Sequence, residues 1–361
     1  MLSGTNCRFF PWNSLASLAV LGLVGVLGCR PAPRGQTVLV YQIERTDDVD
    51  AADAEVADAE AADAEAAGAG RPATDRAPRT RETAEVLANR LRSLFRKKFE
   101  VRATDATHLE IHVPGTDEQL LWRVKSAVAQ TGVLRFQILA NRHDHALIVA
   151  AAEQQGSAAR EAGDAPPTSR KVRDADGKWL GTWVDVAARP ADAKGVRHWE
   201  VDLYGLIVRD PRTGALLPPS ADGRALEPAD VRSESVQVLV VEADDAQLSG
   251  ADLGSVQAEW VNMQPAIAFS LRNADAVQRM QRLTHTNRSD DLNRRQLGII
   301  LDHRLLSAPV IRSTISDRAQ ITGQFTQEEV DLLVAVLRSG SLPEKLSREP
   351  VSEKHYPPPA R

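Results

Sequence analysis

Two short arrangements of histidine and aspartate are the places where this sequence could carry chemistry. His143 and His145 are two positions apart, so both rings would reach one metal ion if their segment is extended. Asp302 directly precedes His303, which suggests an acid and base pair. A zinc site needs a third placed ligand, and neighbours along a strand point to opposite faces. We therefore interpret the first pair as a solvated element edge and the second as a turn.

Motifs of the common enzyme classes do not occur in the chain. It has no metalloprotease helix, no glycine-rich phosphate loop and no nucleophile elbow. His108 and His112 alternate with apolar residues and so belong to the polar face of a predicted strand. We expect no catalytic residue, no bound cofactor and no metal site, and we interpret the chain as a non-enzymatic protein.

Length and charge limit the remaining function classes. The 361 residues suffice for two or three domains, and the formal net charge is −5. Basic residues are mixed with acidic ones rather than gathered in a patch, so nucleic-acid binding is not expected.

The amino terminus carries the pattern of an exported lipoprotein. An apolar run over residues 15–27 is too short to span a bilayer, which takes about 20 residues, but has the length of a signal-peptide core. It ends in Gly28-Cys29, and Val26-Leu27-Gly28-Cys29 resembles a bacterial lipobox, in which the cysteine is lipidated. The alternatives are a short membrane anchor or an ordinary secretory leader. We predict a signal peptide over 1–28, a lipidated Cys29, a tether over 29–36 and an extracytoplasmic location on the periplasmic side.

The order of elements over residues 37–140 predicts a ferredoxin-like base domain. Strands over 37–43, 99–103, 108–113 and 134–138 and two amphipathic helices give the order β-α-β-β-α-β. Thr80 is the predicted N-cap of the first helix. Residues 47–79 form an acidic, alanine-rich insertion that is predicted to be a solvated spacer.

Residues 141–235 give a weaker pattern. We expect an exposed loop over 150–168 and short strands around 179–186 and 198–208. Trp179 and Trp183 would share a strand face, where they would fill a small core or form an aromatic binding site.

The last third again predicts regular α+β structure, a head domain over 236–346. Thr326 and Glu329 form a capping box, Gly340 stands at the position of a helix C-cap, and Pro343 prevents continuation of the helix. The polar, proline-containing residues 347–361 are predicted to be a disordered tail.

A family resemblance rests on residues 297–346, which read LGIILDHRLLSAPVIRSTISDRAQITGQFTQEEVDLLVAVLRSGSLPEKL. This stretch resembles the end of the first extracytoplasmic domain of SecD, the partner of SecF in bacterial protein export. The matching residues, which serve either the fold or partner contacts, are Asp302, Ser307, Ala308, Pro309, Gly323, Phe325, Gly340, Leu342 and Pro343. Residues 265–271, 283–287 and 88–91 also look like the family.

The resemblance implies a ferredoxin-like base that carries a head, thought to hold emerging polypeptide chains. In the family the Gly-x-Leu-Pro ending leads into membrane helices, whereas this chain continues into a hydrophilic tail. We therefore expect attachment to the membrane through the lipid alone and no proton coupling of its own. The expected partners are SecD- and SecF-type translocase subunits or unfolded secretory polypeptide. The alternative is an envelope lipoprotein that uses the same fold as a general peptide-binding, ligand-binding or assembly module.

Overall fold

The computed structural model describes residues 35–44, 76–95, 97–161, 169–218, 226–231, 233–242, 248–290 and 293–356. All of these fall within one compact unit, Arg34–Arg361. The predicted signal peptide, Cys29 and the acidic tract up to residue 75 lie outside the described residues, so those predictions stay predictions.

The described residues form five α-helices joined by strands and short turns. The helices are α1 Arg76–Phe95, α2 Glu118–Ala129, α3 Ala146–Glu161, α4 Ala274–Thr286 and α5 Gln327–Ser339. The strands of the first half are β1 Gln36–Gln42, β2 Glu100–Ala103, β3 His108–Pro114, β4 Leu134–Ile138, β5 Lys171–Arg173, β6 Trp179–Ala187, β7 Val208–Arg209 and β8 Leu216–Leu217. The strands of the second half are β9 Ser235–Val241, β10 Leu248–Ser249, β11 Leu253–Val261, β12 Gln264–Leu271, β13 Leu297–Leu301, β14 Arg304–Ser307, β15 Arg318–Ile321 and β16 Ser352–Tyr356. The predicted α+β class is therefore confirmed.

The first sheet is antiparallel and has the order β1-β3-β2. One face carries the alternating apolar residues of β1 and β3, such as Leu39 and Ile111, which pack against Leu87 and Leu91 of α1 and Val124 of α2. Two helices and three strands are thus compatible with the predicted ferredoxin-like order, whose fourth strand, β4, belongs to another sheet. The periodicities of 2 and 3.6 in the sequence produce this layer because each places its apolar residues on one side.

The carboxyl-terminal segment lies antiparallel along the other edge of β1. The N–H groups of Ser347 and Val351 donate to the carbonyls of Gln42 and Val40, each at 2.7 Å, and Ile43 forms a bridge with Leu346. The sequence predicted disorder from residue 347 onward, and this is wrong for residues 347–356. The segment is polar because it forms a sheet edge, and its order comes from backbone hydrogen bonds rather than from burial.

Strand β4 leaves this sheet and pairs antiparallel with β13 over five residues, from Leu134 opposite Leu301 to Ile138 opposite Leu297. It belongs to a nine-stranded sheet of order β10-β4-β13-β14-β6-β9-β7-β8, with β5 paired to β6. This sheet crosses the predicted domain limits at 140 and 235. The division into base, insertion and head stays a prediction.

A third sheet, β11-β12-β15, packs with α4 and α5 on the apolar face of the large sheet. The shared core contains Phe136, Phe269, Met280 and Val330. Helix α5 is fixed at both ends as predicted, because Thr326 and Glu329 form the capping box and Gly340 ends the helix at φ 81°.

Three local predictions differ from the structure or are decided by it. Helix α1 begins at Arg76, so Thr80 is not an N-cap; its buried hydroxyl instead donates to the carbonyl of Ala106 at 3.1 Å. Residues 150–161 belong to α3 rather than to a loop, while 162–168 lie outside the described residues. Trp183 is fully buried and belongs to a small core with Val149 and Ile207, which favours the packing role over an aromatic binding site.

Candidate functional site

A buried arginine stands where two helices end. Arg90 on α1 is fully buried, and its guanidinium donates to carbonyls at the carboxyl ends of α2 and α5. Nη1 contacts the carbonyls of Ala127, at 3.1 Å, and Gln130, while Nη2 reaches those of Thr131, at 3.3 Å, and Gly340, at 3.0 Å. The last turn of a helix leaves carbonyls without intrahelical partners and carries partial negative charge. One cation therefore satisfies the carboxyl ends of both helices.

The loop after α2, residues 130–133, is held a second time by Asp302. The carboxylate accepts the N–H groups of Gly132 and Val133, both at 2.9 Å, and the hydroxyl of Thr131. Asp302 lies at the turn between β13 and β14, where its φ is 49° and that of His303 is 64°. We call residues 130–133 the junction loop, since they join the helices of the first sheet to β4 of the large sheet.

The electrostatics of the junction loop favour a structural role. Burial lowers the pKa of Arg90 to about 10, and the negative charge of Asp302 opposes this shift. The guanidinium therefore keeps its proton at neutral pH. A permanently charged, fully engaged arginine has no proton to exchange and no open position for a substrate, so the arrangement positions elements rather than performing a reaction.

Gly132 is required in the junction loop for two reasons. Its φ is 91°, and an added Cβ would lie 3.0 Å from both Arg90 Nη2 and Val336 Cγ1. Gly340 and Leu342 complete the surroundings, because the N–H of Leu342 donates to the carbonyl of Thr131 at 2.7 Å and its side chain is buried in the core of the first sheet. Pro343 follows at a half-buried position.

The remaining family-motif residues lie away from the junction loop. Ser307 is buried and donates to the carbonyl of Thr322 at 2.6 Å. The backbone carbonyls of Ala308 and Pro309 accept from Gln296 Nε2 at 3.1 Å and from the N–H of Leu297 at 2.9 Å.

Gly323 and Phe325 form a close pair in the connection between β15 and α5. A Cβ at Gly323 would stand 2.9 Å from the ring of Phe325, which belongs to the main core. The structure thus brings Asp302, Gly340 and Leu342 together and leaves the others in separate fold-forming contacts. Their assignment as sites stays a prediction.

The histidine arrangements of the sequence acquire local roles. Nδ1 of His145 accepts the N–H of Asn141 at 3.2 Å, and burial lowers the pKa of its ring. The neighbouring Asp144 is held by Arg295 at 2.8 and 3.0 Å. Within the described residues no group of three or more histidine, cysteine or carboxylate side chains could hold a metal ion.

The hairpin of β11 and β12 exposes apolar side chains that the sequence patterns did not single out. Strands β11 and β12 are joined by Asn262 and Met263, both at positive φ, and the side chains of Trp260 and Met263 are 63% and 88% exposed. We call Trp260, Met263 and the connecting turn the head hairpin tip. Trp260 followed by the turn Asn262-Met263 could have indicated an exposed apolar tip in the sequence. The alternation of a strand, however, does not show which of its side chains no other element covers.

A second uncovered aromatic residue lies beside a shallow cleft of about 190 Å³. The cleft is formed by Leu94 of α1, Trp122 of α2 and Leu332 of α5, and Trp122 is 64% exposed. Across the described part of the chain, no helix is both long enough and apolar enough to cross a membrane.

Comparison with known proteins bears on the last third of the chain. Residues 226–344 match the family model described as SecDF, P1 head subdomain. The matched segment contains β9 to β15, α4, α5 and the head hairpin tip. Asp302 and Gly340 lie within it, whereas Arg90 and the junction loop lie outside.

Curated relatives agree with this match. The chain is 42% identical over 100 residues to the protein translocase subunit SecD of Aquifex aeolicus, which covers 27% of this chain and 19% of that protein. It is 29% identical over 191 residues to the SecD of Elusimicrobium minutum, covering 46% of this chain and 38% of that protein. The chain therefore matches well under half of the length of these relatives.

Solved structures of SecDF are also similar. The crystal structure of SecDF in a super-membrane-facing form has a TM-score of 0.47 and 18% identity, covering 89% of this chain and 30% of that one. A structure described as a membrane component SecDF that enhances protein export has a TM-score of 0.44 and 19% identity, covering 87% and 98%.

Proposed function

We propose that this chain is a lipid-anchored extracytoplasmic protein that acts in or beside Sec-dependent protein export. Its head binds exported polypeptide or docks on translocase subunits of the SecD and SecF type. The observation that carries the proposal is the match of residues 226–344 to the P1 head subdomain of SecDF. The exposed Trp260 and Met263 support it, because uncovered apolar groups within such a segment are typical of contact surfaces.

The head and the first sheet are suited to act as one body in this function. Arg90, the junction loop and Asp302 connect the two helices of the first sheet to α5 and to the β13–β14 turn through several charge-assisted hydrogen bonds. A load taken up by the head would therefore be transmitted to the first sheet without an intervening flexible linker at this point.

Photocrosslinking in living cells tests the contact. A photoreactive amino acid at Gln257 or Arg272, both exposed in the head, is expected to capture secretory intermediates or translocase subunits. The same group at Glu82, exposed on α1, is the matched control outside the head. Capture of unrelated envelope proteins only, supported by copurification of an unrelated complex, would replace the export role by that of a general envelope assembly module.

Replacement of Cys29 tests the anchor. The wild-type chain is expected to incorporate labelled palmitate and to sediment with membranes, and Cys29→Ser is expected to do neither. Retention of Cys29→Ser in the membrane after alkaline extraction would show that the leader itself is the anchor.

A further inference from the structure

The head hairpin leaves one edge of its sheet open. The sheet order β11-β12-β15 makes β11 an edge strand, and Gln257, Ala258, Glu259 and Trp260 are all exposed. A strand in this position presents backbone N–H and C=O groups that no neighbouring strand uses.

The hydrogen-bond register identifies which groups face this edge. In an antiparallel pair, alternate residues direct both backbone groups toward the partner strand. Pro265 has no N–H and pairs with Trp260, so this pair is not hydrogen bonded. The N–H of Arg272 reaches Asp252 on the β11 side, whereas that of Leu271 reaches Asp317 on the β15 side. Both observations show that the even-numbered residues of β12 direct their backbone N–H and C=O groups toward β11.

It follows that Val256, Ala258 and Trp260 direct their backbone groups away from β12. The carbonyl of Val256 accepts from Arg338 Nε at 2.7 Å, which agrees with this direction. For Ala258 and Trp260, no hydrogen bond from the part of the chain that the structure describes reaches the outward N–H or C=O. Four backbone groups on two alternate residues are thus available along this edge.

The usual means of protecting an edge are missing from this stretch. Residues 257–261 contain neither lysine nor proline, and the irregularity in pairing lies at the other end of β11, between Leu253 and Val256. Glu259 carries the only charge of β11, and its carboxylate accepts from Gln320 Nε2 at 3.0 Å. Apart from the Glu259 carboxylate and the Arg338 guanidinium at Val256, residues 256–261 present no charge to an incoming chain.

The tip adds apolar contact area beside the open edge. Trp260 shares the sheet face of Val256 and Phe269, but the core that covers those two does not extend to it. Met263 occupies a turn position with φ 61°, where glycine is favoured, and keeps a large exposed side chain there. The turn therefore keeps a large apolar side chain in solvent next to the open edge.

We propose that the outer edge of β11 binds an extended stretch of polypeptide as an additional strand, with Trp260 and Met263 contacting its apolar side chains. This proposal rests on the proposed export function and names the site at which the exported chain is held. Backbone pairing supplies affinity for any extended sequence, because it does not read side chains. The near absence of charge on β11 suits such tolerance.

An exported chain fits this edge better than a second copy of the protein. Two residues with free backbone groups offer four hydrogen bonds, and a stable protein–protein interface buries at least roughly 1,200 Å². An edge this short, with one tryptophan beside it, is suited to brief contacts with a chain that must be released.

Binding of an unfolded probe to the full chain tests the proposal. The probe is reduced, carboxymethylated α-lactalbumin, which does not fold, and fluorescence anisotropy gives its dissociation constant. Ala258→Pro removes one outward N–H and leaves the inner ladder intact, since proline is tolerated at such edge positions. We expect it and Trp260→Ala each to weaken binding about tenfold.

Arg318→Pro is the matched control. Ile321 and Ala319 of β15 pair with Ile267 and Phe269, whose N–H groups point to β15, so the N–H of Arg318, at the alternate parity, points away from the sheet on the opposite edge. Its side chain pairs with the neighbouring Asp317 rather than with β11. We expect this variant to bind within about twofold of wild type, because an outward N–H on the opposite edge contributes no hydrogen bond to the proposed strand. Amide hydrogen exchange on the wild type provides a reading that needs no substitution: the probe should slow exchange at Ala258 and Trp260.

The outcomes separate the two proposals. A wild-type chain that does not bind the probe overturns both the site and polypeptide binding by the head. Binding that Ala258→Pro leaves unchanged, or exchange unaltered at Ala258 and Trp260, overturns the site alone. A concentration-dependent dimer that Ala258→Pro dissolves would assign the edge to a second copy instead.

Discussion

Arg90 and Asp302 hold the same loop through complementary halves of its backbone. The guanidinium of Arg90 donates to the carbonyls of Gln130 and Thr131, and the carboxylate of Asp302 accepts from the N–H groups of Gly132 and Val133. The two residues are 212 positions apart in sequence, so this short loop couples α1 to a turn in the last third of the chain.

Loss of the buried cation should be costly. Arg90→Met is expected to lower the free energy of unfolding by about 3–5 kcal/mol, because carbonyls at two helix ends lose their donor and stay buried. Urea denaturation measures the change. Arg92→Met, at a residue of the same helix whose side chain bonds to Asn89 at the surface, should stay within about 0.5 kcal/mol of wild type. Equal effects at the two positions would contradict the role of Arg90.

Gly132→Ala tests the space in the junction loop. Its backbone angle alone should cost about 1–2 kcal/mol, and the contacts of the new Cβ with Arg90 and Val336 should add about 1–3 kcal/mol. The control is Gly115→Ala, at φ 117° with nothing within 4 Å of the added carbon. Unfolding curves that shift equally for both glycines would show that the loop has room to spare.

The carboxyl-terminal strand should stabilise the first sheet. A chain ending at Leu346 is expected to lose about 1–3 kcal/mol, because β1 loses the hydrogen bonds from Ser347 and Val351. The exposed edge should also promote aggregation, measurable by light scattering. A chain ending at Tyr356, which keeps every described residue of this segment, is the control. Unchanged stability in the shorter chain would mean that β16 contributes little.

Acidification should destabilise the protein through His145. Its pKa in the folded state is held below the ordinary value of 6.5 by burial, partly opposed by the charge of Asp144. The unfolded chain therefore takes up a proton at a higher pH than the folded protein, so this contribution to stability is complete above about pH 6.5 and declines as the pH falls toward the folded pKa. His145→Gln should reduce the dependence of the urea midpoint on pH between about pH 7 and pH 5. His285→Gln, at an exposed position of α4, should leave that slope steep.

Met263→Gly should stabilise the fold. Glycine adopts φ 61° without strain and suits the second position of the two-residue turn formed by Asn262 and Met263. The free energy of unfolding, measured by thermal denaturation, is therefore expected to rise by about 1 kcal/mol. Met263→Ala removes the apolar side chain but keeps the strained backbone, and should bring no such gain. If both variants match wild type, the turn stores no strain.

Local signals in the sequence were sufficient for much of the fold. The capping box of Thr326 and Glu329 and the leucine stripe of α1 depend only on residues within one or two turns of each other, and each has one physical outcome. The α+β class followed from the alternation of such elements.

Long-range pairing was not accessible in the same way. Strand β4 has the apolar alternation of a ferredoxin-like fourth strand, yet pairs with β13, and the polar residues of β16 lie beside β1 instead. Backbone hydrogen bonds carry no side-chain signature, so the sequence did not indicate either choice. Gly156 contributed to the prediction of a loop where α3 lies. An added Cβ at this position would lie 2.5 Å from the carbonyl oxygen of Gly214, so the glycine allows the helix to approach that backbone and does not end the helix.

The candidate sites divide along the same line. The family motif identified Asp302 and Gly340, but only the three-dimensional structure shows that they meet Arg90. The open edge at Ala258 depends on which residues of β11 direct their backbone groups away from β12. The pairing of Trp260 with Pro265 determines this, and the sequence alone does not show that pairing.

The position of β16 beside β1 determines when the first sheet can be completed during synthesis. Strand β1 is made early, but its outer edge is covered only when residues 345–356 have followed some three hundred positions later. Pairings of such sequence separation form slowly, because a long loop must close first. The first sheet is therefore completed only after residues 345–356 have been made, and until then the nascent chain carries an open strand edge that a chaperone would need to shield.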